Sequence, residues 1–276
     1  MNTVNADYDT VGHYMQDEIN GLSDSLLEKM IDLVSPKGAA KILDAMGGDG
    51  NLTLRLYDYC KRKGMEIPHC TLFEISKVQT DIAKTKLPVN TGDVICGDIL
   101  RLINLSNNKK LDLEKYDRIM IKSSNHEIPL VSQKSLYKNI FDLLKPGGHF
   151  INLGFLFDDE NERDEVRELA EVKDKLAGMQ RAEKYRHFMM RNELYSRLED
   201  VGFSSIRAGC SFDYRISSKI VADTYFTKAS NRHLDIENQA AQARCQTLRR
   251  NGRIEFIKDE TCLIFPGEIT VAQKPK

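Results

Sequence analysis

The 276-residue sequence lacks an excess of charge of either sign: 40 Lys and Arg stand against 41 Asp and Glu, a formal net charge of -1. No general attraction to a polyanion follows, so a nucleic-acid coat is excluded, although a local basic patch is not. Also missing is any apolar run of about 18 residues, the length a membrane-spanning helix needs. The opening Met1 to Asp7 lacks the basic-then-apolar order of a secretory signal, and the expectation is a cytoplasmic protein. The six cysteines, Cys60, Cys70, Cys96, Cys210, Cys245 and Cys262, include no C-x-x-C pair. A zinc ribbon and a disulfide scaffold are therefore not expected, nor is any metal site; the thiols read as reduced and mostly buried.

There is no internal repeat and no linker rich in Pro, Gly or Ser. What the chain does have is alternation. Short apolar runs at Lys41 to Ala45, Cys70 to Glu74, Gly92 to Cys96, Tyr116 to Ile121 and His149 to Leu153 read as strands buried on both faces. Helical patterns fall between them at Leu52 to Lys63, Lys77 to Lys86 and Lys134 to Leu144, the last closed by Lys145-Pro146-Gly147-Gly148. Strand and helix in turn predict an α/β fold, doubly wound around a mostly parallel sheet, with ligands at the carboxyl ends of the strands.

Around this core, taken as residues 38–155, the sequence predicts additions. Residues 1–37 hold an N-terminal flap and a helix whose apolar positions Leu22, Leu26, Leu27, Met30, Ile31 and Val34 follow a possible Ser23 cap. Residues 156–190 read as a helical cap: seven acids between Asp158 and Glu168 suit a helix start, and Leu169, Val172, Leu176 and Met179 form one stripe. Residues 191–276 would complete the sheet. They comprise a helix through Leu194 and Leu198 to Gly202, strands over Ser205 to Phe226 and Thr261 to Gln273 forming an antiparallel edge, and a helical insertion at 228–260.

The strongest local signal is Ile42-Leu43-Asp44-Ala45-Met46-Gly47-Gly48-Asp49-Gly50-Asn51, a strand running through a glycine-rich turn into a helix. Glycine lets backbone approach a ligand and take positive φ, while the helix start favours an acceptor-rich or anionic group. A tight turn or a nicotinamide site would show the same feature. Glu74 closes the second strand, where a carboxylate can accept from both ribose hydroxyls, and Gly97-Asp98-Ile99 ends the third, pairing an acceptor for an adenine amino group with an apolar cover.

Together these residues resemble the class I S-adenosylmethionine-dependent methyltransferases over roughly residues 38–155. Asp44, Gly48 and Gly50 match the family's acidic residue and glycines, and Met46 stands where its first glycine would be. The resemblance implies a seven-stranded sheet and S-adenosylmethionine as cofactor, with S-adenosylhomocysteine as product. The backbone around Met46 to Gly48 would then hold the methionine moiety, Glu74 the ribose, and Asp98 with Ile99 the adenine, with Asp44, Gly50, Ile75, Gly97 and Lys122 also serving the cofactor.

Methyl transfer needs in-line positioning and exclusion of water, with a base only where the acceptor must lose a proton. Ser123-Ser124-Asn125-His126-Glu127 follows strand four. His126 has a usable pKa, Glu127 could orient it or act itself, and Asn125 could touch the acceptor, unless these residues merely cap the next helix. Tyr8 and Tyr14, with His13, could close over the site. His187 sits among Tyr185, Phe188, Met189 and Met190 and could line an acceptor pocket, although such a cluster is as readily ordinary core.

No Asn-Pro-Pro-Tyr or Asp-Pro-Pro-Tyr follows strand four, which favours a small-molecule acceptor over base or glutamine methylation. Arg244, Arg249, Arg250 and Arg253 make an anionic metabolite worth testing. Alternatives are a peptide or tRNA methyltransferase, and an adenosylmethionine-binding protein that acts through a partner recruited by the 169–179 stripe. A nicotinamide oxidoreductase would need G-x-G-x-x-G, but Thr53 holds the third place. The cap could equally serve a homodimer.

Overall fold

The computed structural model describes residues 22–37, 41–88, 91–105, 109–113, 115–179, 186–226, 232–258 and 260–276. Strands β1 (Lys41–Ala45), β2 (His69–Glu74), β3 (Val94–Asp98) and β6 (Tyr116–Lys122) coincide with four of the apolar runs, and β7 (Leu144–Phe157) extends the fifth at both ends. They pair in parallel in the order β3-β2-β1-β6-β7. Two long strands, β11 (Glu260–Gln273) and β9 (Ser204–Ser217), complete a seven-stranded sheet: β11 runs antiparallel to β7, and β9 antiparallel to β11. The short strands β4 (Ile103–Asn104), β5 (Lys109–Lys110), β8 (Met189–Met190) and β10 (Ile254–Ile257) attach to this frame.

Successive strand residues face opposite layers, as the two-residue period requires. Ile42, Met120, Ile151 and Leu153 pack with Leu27, Met30, Ile31 and Val34 of helix α1 (Asp24–Val34) and with Leu52 and Leu56 of α2 (Asn51–Arg62). Leu43, Ile119, Ile121 and Phe150 face the other way, onto Leu136, Ile140 and Leu143 of α4 (Leu130–Leu143) and Leu194 and Leu198 of α6 (Arg191–Asp200). Helix α3 (Lys77–Lys86) packs beside β2 and β3. The expected caps are in place: Ser23 accepts from the Leu26 N–H at 3.2 Å, and Gly202 stops α6 at φ +104°.

Beyond the sheet, α5 (Glu160–Leu176), α7 (Ser218–Tyr225), α8 (Arg232–Arg244) and α9 (Gln246–Arg250) form a cap. The segment Ser218–Tyr225 is helical rather than strand as expected. Ser217 ends β9 as an N-cap, its hydroxyl accepting from the Ile220 N–H at 3.3 Å, and this local bond overrides the β-branched composition. Asp159 caps α5 in the same way, and Glu165 of α5 accepts from the Thr247 and Leu248 N–H groups at 2.9 and 2.8 Å, capping α9 across the interface. The stripe expected to recruit a partner is turned inward, with Leu169 and Met179 buried. Among the described residues no helix is long and apolar enough to cross a membrane.

Candidate active site

The turn after β1 is built by backbone. Met46, Gly48 and Gly50 take φ of +59°, +55° and +84°, so the chain curls back and delivers α2 end-on. Gly50, at the N-cap of α2, offers no side chain of its own; Asp49 Oδ1 accepts the Asn51 N–H at 3.4 Å and Asp44 accepts from the Thr53 backbone, so two acidic groups hold the first turn of the helix. A Cβ at Gly47 would stand 2.9 Å from Asp44 Cγ and 3.0 Å from Leu72 Cγ, whereas at Gly48 it would meet nothing within 4 Å. The turn is thus closed on its core side and open on the other. Met46 pays for its missing glycine with a left-handed conformation, anchored by its N–H donating to Phe73 O at 2.7 Å.

Acidic groups hold this turn from below. Glu74 accepts the Gly48 N–H at 3.1 Å and the Ser76 N–H at 2.8 Å. Its carboxylate is therefore fixed between the first turn and the end of β2. Asp44 is fully covered and accepts from Thr53 Oγ1 at 2.7 Å. Burial pushes its carboxyl up to about 7, with Thr53 and Lys122 pulling the other way. Asp44 and Gly50 thus shape the turn, and among the glycine-turn residues Met46, Gly47, Gly48, Asp49 and Asn51 line the cavity it opens on.

Glu74, Ile75, Asp98 and Ile99 gather at the carboxyl ends of neighbouring strands, since Glu74 pairs with Cys96 in the β2–β3 register. Asp98 Oδ1 accepts from the Leu100 N–H at 2.9 Å, and Ile99 is buried. Gly97 has a packing reason: a Cβ there would lie 2.2 Å from the Phe73 ring.

The cavity, of about 200 Å³, runs from the glycine turn into the cap. Lys122, Ser123, Ser124, His126 and Glu127 form its floor, Phe155, Phe188, Tyr214 and Phe265 an aromatic wall, and Leu169, Lys173, Tyr225 and Asn238 the cap side. Ser123 sits at φ +54° directly after β6, so two left-handed non-glycine residues, Met46 and Ser123, flank the opening. His126 stacks on Phe188 with centroids 5.2 Å apart and planes 7° apart, and packs against Phe155 at 5.5 Å. Burial, helped by the charge of Arg186, holds its pKa well below the usual histidine value, and among the described residues its Nδ1 has no hydrogen-bond partner. Glu127 lies 4.0 Å from Arg186.

Several expectations are corrected. His187 does not line the cavity: its Nε2 lies 2.9 Å from Glu193 Oε1, drawn onto α6 by that carboxylate. Asn125 is buried beneath the floor, with its amide 3.0 Å from the place a Cβ on Gly154 would take. Arg244, Arg249, Arg250 and Arg253 do not reach the cavity either. Arg249 donates to Ala243 O at 3.0 Å, and Arg253 pairs with Asp213 at 2.8 Å, so these two pin the cap together. Tyr8 and Tyr14, with His13, lie outside the described residues. Sequence reasoning missed Lys173, Arg186 and Asn238. Val166, Leu169, Ala170 and Lys173 share one helical face by spacing, and that was the available signal for Lys173.

Comparison with known proteins bears on this geometry. The model of the ubiE/COQ5 methyltransferase family matches residues 1–158, more than half of the chain. No curated protein matches at a significant level. Among solved structures, the YcgJ protein of Bacillus subtilis superposes with a TM-score of 0.72 at 13% identity, over 91% of this chain and 98% of that one. A putative methyltransferase of Bacillus halodurans gives 0.70 at 12% identity, over 91% and 100%. A putative sarcosine dimethylglycine methyltransferase of Galdieria sulphuraria gives 0.58 at 13% identity, over 91% and 85%. At such identities the superpositions speak for the fold alone, the mostly parallel Rossmann-like sheet with its antiparallel strand. Family match, fold and glycine turn agree: the chain belongs to the ubiE/COQ5 methyltransferase family and is an S-adenosylmethionine-dependent methyltransferase.

Proposed function

We propose that the protein methylates a small, largely apolar molecule seated in the cavity between the glycine turn and the cap, working in the cytoplasm. The observation that carries this reading is the continuity of one cavity, whose wall passes from Met46, Gly47 and Gly48 to Phe155, Phe188, Tyr214 and Phe265. An aromatic-lined space of this size suits a compact apolar body better than a protein or RNA segment.

The residues present fit the cofactor. The open face at Gly48 offers close backbone approach for the methionine part, and the carboxylate of Glu74 an acceptor for the ribose hydroxyls. Asp98 and Ile99 stand one strand further along for the adenine. When bound, S-adenosylmethionine supplies a methyl group activated by the adjoining sulfonium charge.

The chain's own contribution is positioning and proton handling. Phe155 and Phe188 exclude water and fix the imidazole of His126 between them. Burial and the charge of Arg186 keep His126 neutral, which leaves a ring nitrogen able to accept a hydrogen bond from an acceptor hydroxyl or amine but makes it a weak base. Among the described residues no carboxylate bonds its Nδ1, unlike the histidine of a catalytic triad. Glu127, held near Arg186, contributes charge to the floor of the cavity.

The test is transfer of label from methyl-labelled S-adenosylmethionine into a cell extract separated into small molecules, protein and RNA. Label in the small-molecule fraction is expected. Label confined to protein or RNA would overturn the reading.

A further inference from the structure

Three cap helices bring polar groups into an otherwise apolar part of the cavity. Lys173 of α5 projects into it with Nζ 4.0 Å over the ring of Tyr225 from α7. Asp174, fully buried, takes a hydrogen bond from the same ammonium and is bound from the other side by Arg186 Nε at 2.5 Å. An ammonium has three donors; one goes to Asp174 and the aromatic face covers another direction. Independently, Asn238 of α8 lines the cavity, is 2% exposed, and has an Nδ2 with no hydrogen-bond partner among the described residues. A buried amide donor without an acceptor is costly unless a ligand supplies one. Two donors from different helices, one of them cationic, thus line an aromatic cavity.

We infer that the acceptor carries an anionic oxygen group on a ring-bearing apolar body, and that Lys173 is the residue that holds this group, with Asn238 donating to an oxygen of the same molecule. The inference rests on the methyltransferase reading of the cavity and adds the class of molecule that fills its cap end. The charged and titratable groups facing Lys173 are Asp174 on its own helix, Arg186 before β8, His126 and Glu127 from the floor, and Tyr225 from α7. Burial and the nearby guanidinium of Arg186 push the ammonium down to about 8, against the pull of Asp174 and Glu127. An anion would reverse that shift and draw a proton onto Lys173.

The experiment is calorimetric titration of the full chain with naphthoate and with its neutral counterpart naphthalenemethanol, with and without saturating S-adenosylhomocysteine. Naphthoate is expected to bind about tenfold more tightly or better, since charge-assisted hydrogen bonds exceed neutral ones. Lys173→Met should erase most of that preference while leaving S-adenosylhomocysteine affinity unchanged; Asp174 keeps Arg186 as its partner in this variant. Should the variant fail to fold, the wild type decides. At about pH 8.5, naphthoate binding should take up part of a proton, read as heat that changes with the ionisation enthalpy of the buffer.

Equal affinity for the two probes overturns the proposal, as does a preference that survives in Lys173→Met or naphthoate binding without proton uptake. Failure of S-adenosylhomocysteine to bind counts against the methyltransferase reading of the cavity instead, because the probe preference is also measured without it.

Discussion

The two ends of the cavity are made of different material. At the core end the wall is main chain: Met46 and Gly48 in left-handed conformations beside Gly47, with Glu74 fastening the Gly48 N–H. At the cap end it is side chain: Lys173, Tyr225, Asn238 and the aromatic residues of β7, β9 and β11. A main-chain wall can be altered only by refolding the turn, so it suits a ligand that every member of a family shares. A side-chain wall can be recut by single substitutions while α5, α7 and α8 keep their packing, so it suits the partner molecule that differs from one member to the next. Substitutions at the core end should therefore damage cofactor binding whatever the acceptor, and substitutions at the cap end should spare it.

The sharpest way to break this division is Gly47→Val. A side chain there would collide with Asp44 and Leu72, closing the turn from its core side. Binding of S-adenosylhomocysteine, followed by calorimetry, should fall below detection, and thermal unfolding should report a loss of about 1–3 kcal/mol from overpacking. Retained affinity would show that the turn tolerates reshaping and would dissolve the contrast with the cap.

His126 stands where the two ends meet. His126→Gln should lower turnover roughly 100-fold if the imidazole accepts the acceptor's proton, with cofactor affinity intact. A rate unchanged under single-turnover conditions would leave positioning as its only role. The pH dependence follows in sign: a histidine held below its ordinary pKa binds fewer protons folded than unfolded, so folding stability drops as pH falls through the ordinary histidine range. The variant should lose less stability than the wild type on acidification, measured as melting temperature against pH.

Glu74→Ala probes the core end more gently. Two N–H groups lose a charged acceptor, and S-adenosylhomocysteine affinity should fall by about 1.5–3 kcal/mol, again read by calorimetry. Phe188→Ala should leave that affinity within error. Comparable losses in both variants would mean that cap and core bind the cofactor jointly.

The same division explains what the amino-acid sequence disclosed. Strands β1, β2, β3 and β6, the helix over Lys77–Lys86 and the glycine turn were legible because each is a local pattern: an apolar run, a cap, a glycine where φ is positive. Glu74 and Asp98 followed from their places at strand ends. The cap was legible only as helices. His187, read among aromatic neighbours as a pocket residue, was claimed by Glu193, and nothing in the spacing shows that Glu193 turns back toward it. The arginines of 244–253 looked like an anion site because they are dense in sequence, but Arg253 is spent on Asp213, 40 residues away. Lys173 and Asn238 meet only because α5, α7 and α8 pack together, a relation that no local window contains. Ser218–Tyr225 failed for a different reason, since one serine cap outweighed the strand-like Ile220, Val221, Thr224 and Tyr225.

The titration of buried groups carries opposite signs at the two ends. Asp44, beneath the turn, has its carboxyl pushed from 3.8 to about 7. Between those values the folded protein holds more protons than the unfolded chain, so Asp44 makes stability decline as pH rises through that window. Asp44→Asn keeps an acceptor for Thr53 and removes the titration, and its melting temperature should gain on the wild type from about pH 4 to about pH 7 and hold level above. Lys173, in the cap, is pushed down from 10.5 to about 8. There the unfolded chain holds more protons, and stability climbs with pH through that higher window; Lys173→Met should abolish the climb without touching the acidic one. Each variant should therefore flatten a different limb of the stability profile. A single substitution that flattened both would show that the two ends of the cavity titrate as one electrostatic unit, and that a main-chain wall and a side-chain wall do not insulate the cofactor from the acceptor.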